Sequence, residues 1–107
     1  MLTVMSHCAI KQLIMDILFA PLFRRFVKKQ SLPFQMVIRD EVDRICRSPE
    51  IGEMKTGDLT NTRVQKFRFQ RREYLLAYQP RERELIFHMV GTHENFYRDL
   101  KNYLREG

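Results

Sequence analysis

RVQKFRFQRREYLLAYQPRERELIFHMVG, residues 63–91, is the stretch that decides the fold. Its first eight residues alternate, so that Phe67 and Phe69 point one way and Lys66 and Arg68 the other, the period of a strand with one buried face. A short polar turn, Gln70 to Glu73, leads to YLLAYQP (74–80), which reads as a more buried strand. A second turn, PRERE, leads to LIFHMVG (85–91). Three consecutive strands with tight connections predict an antiparallel meander.

Upstream, LIMDILF (13–19) is an apolar run of strand length, ending at Ala20-Pro21, where a helix can start. In LFRRFVKK (22–29), Leu22, Phe23, Phe26 and Val27 fall on one half of a helix and four cations on the other. Leu32-Pro33 punctuates, and Phe34, Ile38, Val42 and Ile45 carry a second helix from about Phe34 to Arg47, closed by Ser48-Pro49. Residues 49–62, PEIGEMKTGDLTNT, hold two glycines and little periodicity and read as a long surface loop. Downstream, Thr92 can cap a final helix that packs Phe96, Leu100, Tyr103 and Leu104 on the sheet. The order is strand, two helices, three strands, helix. It predicts an α+β domain over 14–105, with helices against one face of a small antiparallel sheet. Residues 1–13 read as a leader lying outside the domain, with Met1, Met5 and Met15 as alternative starts.

A chain of 107 residues holds one core and not two. Apolar residues make up 44%, with eight Phe and four Tyr against four Gly and four Pro, which excludes a disordered tail. The formal charge of +6 and pI near 9.7 favour phosphate backbones or acidic protein surfaces as partners. Cys8 and Cys46 belong to no CxxC or Cys/His metal spacing and read as reduced thiols, with Cys46 in the core. His7, Lys11, Gln12 and Asp16 interrupt the apolar start, so neither a signal peptide nor a membrane span is expected, and cytoplasm is the default compartment.

Lys66 and Arg68 project from the side opposite the core, and two guided cations suit a phosphate; a solvated sheet face is the plain alternative. Arg63, Arg71 and Arg72 enlarge the same basic neighbourhood, whereas Arg81 and Arg83 in the second turn read as solubilising charges. His93 is more specific. With Thr92 as cap it stands in the first turn of a helix, whose dipole disfavours imidazolium and whose free N–H groups can hold an anion. Tyr97, four residues on, would share its face. The competing reading makes His93 a helix-start residue and Tyr97 a packing ring. His88 within its strand and His7 in the leader have weaker claims. Asp40, Glu41, Asp43, Glu94 and Asp99 lie beside arginines around helical faces and read as surface ion pairs. No Gly-rich phosphate loop, nucleophile elbow or HExxH occurs. What is left is acid–base chemistry without a metal, or plain binding.

The element order, the loop PEIGEMKTGDL, the strand pair RVQKFRF and YLLAY, and the ending GTHENFYRDLK together resemble the RelE/ParE superfamily of bacterial type II toxin–antitoxin toxins, over about residues 14–105. RelE-like members cut mRNA on the ribosome, and there the two basic strand positions fall on Lys66 and Arg68. The arginine that follows a tyrosine on the next strand of RelE is here Leu75, which removes one expected phosphate clamp. Where RelE has an arginine after the last strand, this chain has His93, similar to the catalytic histidine of YafQ-type nucleases in a Gly-Thr-His turn, with Tyr97 as the aromatic that follows. The resemblance implies cleavage needing no metal or other cofactor, in which the 2′-OH attacks the adjacent phosphate. His93 would move a proton, Lys66 and Arg68 stabilise charge, and Tyr97 orient or stack on a nucleotide. Arg63, Arg71, Arg72 and Arg98 are the RNA-binding candidates. ParE-like members instead inhibit DNA gyrase by binding, and a purely regulatory homologue is the third reading. Each implies an antitoxin partner laid over the helix–sheet groove or over the basic strand face.

Overall fold

The computed structural model describes residues 16–106. The leader, with His7, Cys8 and the alternative starts, lies outside the described residues, as does the part of the first expected strand before Asp16. The elements are β1 (Asp16–Phe19), α1 (Pro21–Lys28), α2 (Leu32–Arg47), β2 (Glu53–Met54), β3 (Arg63–Phe69), β4 (Arg72–Pro80), β5 (Glu84–Gly91) and α3 (Phe96–Glu106), with 3-10 turns at Pro49–Ile51 and Gly57–Leu59. They form a five-stranded sheet in the order β1-β5-β4-β3-β2.

The three-stranded meander is present, but β4 begins at Arg72, so the expected Gln70–Glu73 turn shrinks to two residues and Glu73 lies in the strand. Strands β3 and β4 pair from Arg63↔Tyr78 to Phe69↔Arg72, which leaves a two-residue turn. Gln70 and Arg71 in that turn have φ of 50° and 68°, the left-handed geometry that a two-residue hairpin needs, without the usual Asn-Gly. Strand β5 pairs antiparallel with β4, but the register steps from Tyr78↔Phe87 to Ala77↔Met89, so His88 is the extra residue of a bulge.

Three expectations need correction. The sheet is mixed, not wholly antiparallel, because β1 runs parallel to β5. Helices also cover both faces: α1 and α2 pack Phe23, Phe34, Ile38 and Ile45 on Leu76, Tyr78 and Phe87, whereas α3 packs Phe96 and Leu100 on Val64, Leu75, Ala77 and Met89 on the opposite, second face. The physical reason for the second lies in YLLAYQP and LIFHMVG, which are apolar at successive positions and so need cover on both faces; β1 is parallel because it takes the outer edge of β5 that β4 leaves free, pairing Asp16–Phe19 with Glu84–Phe87. Finally, the 49–62 segment is not all surface loop, since it supplies edge strand β2, and Leu59 and Thr62 are buried.

Local rules account for the helix starts. Pro33 lies within the first turn of α2, where no N–H is needed, and the Ser31 hydroxyl accepts from the Phe34 N–H at 3.3 Å. Cys46 sits in the first core at 0% exposure. Among the described residues, no helix is long and apolar enough to cross a membrane.

Candidate functional site

Strand alternation sets the site on the second face, beside α3. Val64 and Leu75 face α3, and in the β3–β4 register Lys66 lies opposite Leu75 and Arg68 opposite Glu73. Lys66, Arg68 and Glu73 therefore share that face beyond the helix, and both cations are exposed. The Arg68 guanidinium donates to the Arg71 carbonyl at 3.2 Å, which ties it to the hairpin turn.

His93 reaches the same point from the far end of β5, by a route that differs from the expected one. Helix α3 begins at Phe96, not after Thr92. Asn95 adopts φ 61°, its carbonyl accepts from the Asp99 N–H at 2.9 Å, and the His93 carbonyl accepts from the Phe96 N–H at 3.2 Å. Thr92 thus caps nothing, and His93 stands in a turn before the helix, outside the reach of the dipole argument. What orients the ring is a carboxylate: Nε2 lies 2.6 Å from Glu73 Oε1, with the His93 side chain 51% and the Glu73 side chain 36% exposed. Glu73 accepts the Nε2 hydrogen and leaves Nδ1 as the nitrogen free to exchange a proton.

Tyr97 is half-buried in the first turn of α3, set edge-on to Phe96 with ring centres 5.4 Å apart, so its expected packing role is met in part. Its other neighbour is Lys55, a residue the expectations do not include, whose Nζ lies 5.0 Å from the Tyr97 ring centre. Lys55 also donates to Glu53 at 3.0 Å. That hydrogen bond is the main cause holding the Lys55 pKa above its ordinary value, with Tyr97 adding and burial opposing. Glu53 is held below the ordinary carboxylate range chiefly by Lys55, and Lys66 contributes a smaller share. Glu53 pairs with Val64 across the β2–β3 edge, so this cluster adjoins Lys66 on the second face.

The remaining basic candidates do not form one patch. Arg63 points to the first face, where it donates to the carbonyls of Glu50 at 2.9 Å and Gly52 at 2.7 Å, locking the loop before Lys55. Arg72 pairs with Phe69 and also faces away from Lys66 and Arg68. Arg71 stands at the hairpin tip, and Arg98 is on the outer side of α3, 3.5 Å from Asp99. Leu75, where the resemblance would want an arginine, is fully buried under α3. His88 packs at the other end of the face, 2.9 Å from Gln79 Oε1 and 3.4 Å from the Tyr103 hydroxyl. Burial lowers its pKa to about 4.

The site is thus a strip of Lys66 and Arg68 with a carboxylate-oriented histidine at one end and a Lys55–Tyr97 contact along its side. It can hold a phosphate against two cations and offer one proton-exchanging nitrogen. Among the described residues no three His, Cys, Asp or Glu side chains converge as metal ligands.

Two solved structures share this arrangement of strands and helices. An arginine-to-alanine double mutant of free Escherichia coli toxin RelE is 17% identical, covers 86% of this chain and 97% of that one, and superposes with a TM-score of 0.67. A chain of the intact E. coli RelBE toxin–antitoxin complex is 16% identical, with 73% of this chain and 95% of that one covered and a TM-score of 0.59. At these identities the likeness is one of fold. No curated protein matches the chain in sequence at a significant level. A family model described as the ParE-like toxin of type II bacterial toxin–antitoxin systems matches residues 17–101, most of the chain. The chain therefore belongs to the ParE-like toxins of bacterial type II toxin–antitoxin systems, within the RelE/ParE superfamily.

Proposed function

We propose that this toxin is a ribosome-dependent mRNA endonuclease, and the observation that carries the reading is the His93–Glu73 pair at 2.6 Å on the same sheet face as Lys66 and Arg68. With Nε2–H held by Glu73, Nδ1 of His93 takes the proton from an RNA 2′-OH. The 2′-oxygen attacks the adjacent phosphorus, the P–O5′ bond breaks, and the proton passes to the departing 5′-oxygen, leaving a 2′,3′-cyclic phosphate and a 5′-hydroxyl. Lys66 and Arg68 neutralise the charge that builds on the phosphoryl oxygens. Tyr97, with Lys55 beside it, offers a ring on which a nucleotide stacks. Of the remaining arginines, Arg71 stands at the hairpin tip to which Arg68 is tied. The activity belongs in the cytoplasm, where translating ribosomes are.

The partner that silences it is a cognate antitoxin, as in the RelBE complex that shares the fold. An acidic segment laid across Lys66 and Arg68 would mask the strip. A second reading has its own support: the matched family model is ParE-like, and Leu75 lies buried where a phosphate-clamping arginine would stand. In that reading the basic face docks on DNA gyrase and no bond is broken.

The test is primer extension on mRNA translated in a cell-free system, beside a gyrase supercoiling assay. Wild-type protein cuts the message and leaves supercoiling intact; His93→Ala keeps the fold and cuts about 10² to 10⁴-fold more slowly. Cleavage by His93→Ala at the wild-type rate removes His93 from the chemistry. Intact mRNA with stoichiometric inhibition of gyrase overturns the endonuclease reading.

A further inference from the structure

Behind the His93 turn, strand β4 carries a second feature that the phosphate chemistry does not use. Arg72, Glu73 and Tyr74 are consecutive, so when Glu73 points to His93 its two neighbours point to the opposite side of the sheet. There they border a cavity of about 430 Å³, with Phe26 and Gln30 of α1 and the segment after it on one wall and Glu94 and Asp99 on the other. The volume falls within the roughly 300–1,000 Å³ usual for small-ligand clefts. Thr92 and Glu94, which flank His93 in the chain, also line it, so cavity and proton-transfer pair are neighbours.

The lining specifies a class of ligand. Tyr74 is only half-buried, and its ring is held by Phe34 at 4.7 Å and Phe67 at 5.7 Å, a fixed aromatic surface bordering open space. Phe34 is in turn stacked on Phe69 at 4.6 Å and 6°, so the surface is backed by a rigid cluster. Gln30 spends its side-chain N–H on the Phe26 carbonyl at 2.9 Å, which leaves its Oε1 as an acceptor. Glu94 is an acceptor as well, and so is the Asp99 oxygen that does not face Arg98. A cleft with an aromatic wall and three acceptors repels a phosphate inside it and suits a flat ring with N–H donors on its edge. Arg72, exposed at the rim, is the group left for the backbone that such a ring hangs from.

We infer that this cavity holds an unstacked nucleobase with an exocyclic amino group, next to the nucleotide being cut, and that it discriminates against uracil. The inference rests on the endonuclease reading and names where the substrate strand goes after it passes His93. Stacking on Tyr74 supplies affinity, and Gln30, Glu94 and Asp99 supply the edge contacts.

The experiment is an NMR titration of the full-length His93→Ala chain, isotopically labelled, with the four 5′-nucleoside monophosphates. AMP, GMP and CMP are expected to shift the resonances of Gln30, Tyr74 and Phe96, with UMP about tenfold weaker. The double variant Glu94→Gln, Asp99→Asn is expected to lose the preference while Gln30→Ala, at a half-exposed position, weakens binding without unfolding. Equal response to all four nucleotides, or shifts confined to Lys66 and Arg68, overturns the inference. The same variants in the His93 background are then mapped on translated mRNA: cutting whose sequence preference is unmoved sinks the base site and leaves the endonuclease reading standing. Absent cutting with gyrase inhibited sinks that reading, while the titration still judges the cavity.

Discussion

Replacing Tyr78 by Phe removes one oxygen from the centre of the molecule, and the structure says what depends on it. The ring is at 0% exposure in the core between α2 and the sheet. Its hydroxyl donates to the Pro49 carbonyl at 2.6 Å and accepts from the Gly52 N–H at 2.9 Å. Burial raises its pKa, so it remains a donor throughout the neutral range. Phe keeps the packing and strands both backbone groups. Gly52 is buried and bears the full desolvation penalty of about 1–3 kcal/mol, whereas the half-exposed Pro49 carbonyl regains water at a cost nearer 0.5 kcal/mol. The expected loss is therefore about 2–3 kcal/mol, read as a lower urea midpoint at unchanged slope. Activity should fall further than stability explains, because the tethered segment leads directly to Glu53 and Lys55, and loosening it blurs the Lys55–Tyr97 contact. A loss below about 0.5 kcal/mol would refute the idea that Tyr78 staples this loop.

Three other outcomes follow from the same geometry. Changing the hairpin pair Gln70-Arg71 to Asn-Gly relieves two left-handed residues and should raise stability by about 1 kcal/mol in thermal unfolding. Lys55→Met removes the cation beside Tyr97 and should lower cleavage at least about tenfold, with stability changed by no more than about 1 kcal/mol in denaturant titration. His88 takes up its proton in the unfolded chain near pH 6.5 and in the fold only near pH 4, because burial, aided by Arg81, disfavours the charged ring. Stability should thus be unaffected above about pH 7 and decline as pH falls from about 6.5 to 4, by about 2–3 kcal/mol after allowance for the water that still reaches the ring. His88→Gln should flatten that slope in pH-dependent unfolding, and an unchanged slope would relieve His88 of the role.

Much of the fold can be read from residues 63–91 because strand alternation and turn spacing are local. Phe67 and Phe69 against Lys66 and Arg68 set the faces of β3, but the polar run Gln70–Glu73 hides where the turn ends, and only its closing on Gln70-Arg71 fixes every pair down to Arg63↔Tyr78. The side on which α3 packs is not local. Val64, Leu75 and Ala77 had to be recognised as a second apolar face, and their signal is only that YLLAY lacks alternation. The parallel seat of β1 beside β5 is likewise a matter of topology, for which a four-residue strand offers no periodicity.

The site divides along the same line, with consequences for what its residues can do. Lys66 and Arg68 follow from alternation alone. His93 is in its place for a reason that sequence rules misassign: Thr92 followed by charged residues imitates a helix cap, but Asn95, a residue tolerant of positive φ, starts the helix instead. That shift of a few residues takes the imidazole away from the helix dipole and gives it to Glu73, twenty positions away and legible only once the hairpin register is known. A histidine whose proton is governed by a carboxylate exchanges the helix end for a partner that both orients the ring and can be removed singly. The two arrangements differ chemically, because Glu73→Ala would leave a helix-governed His93 untouched and takes the acceptor from one whose Nε2–H the carboxylate holds.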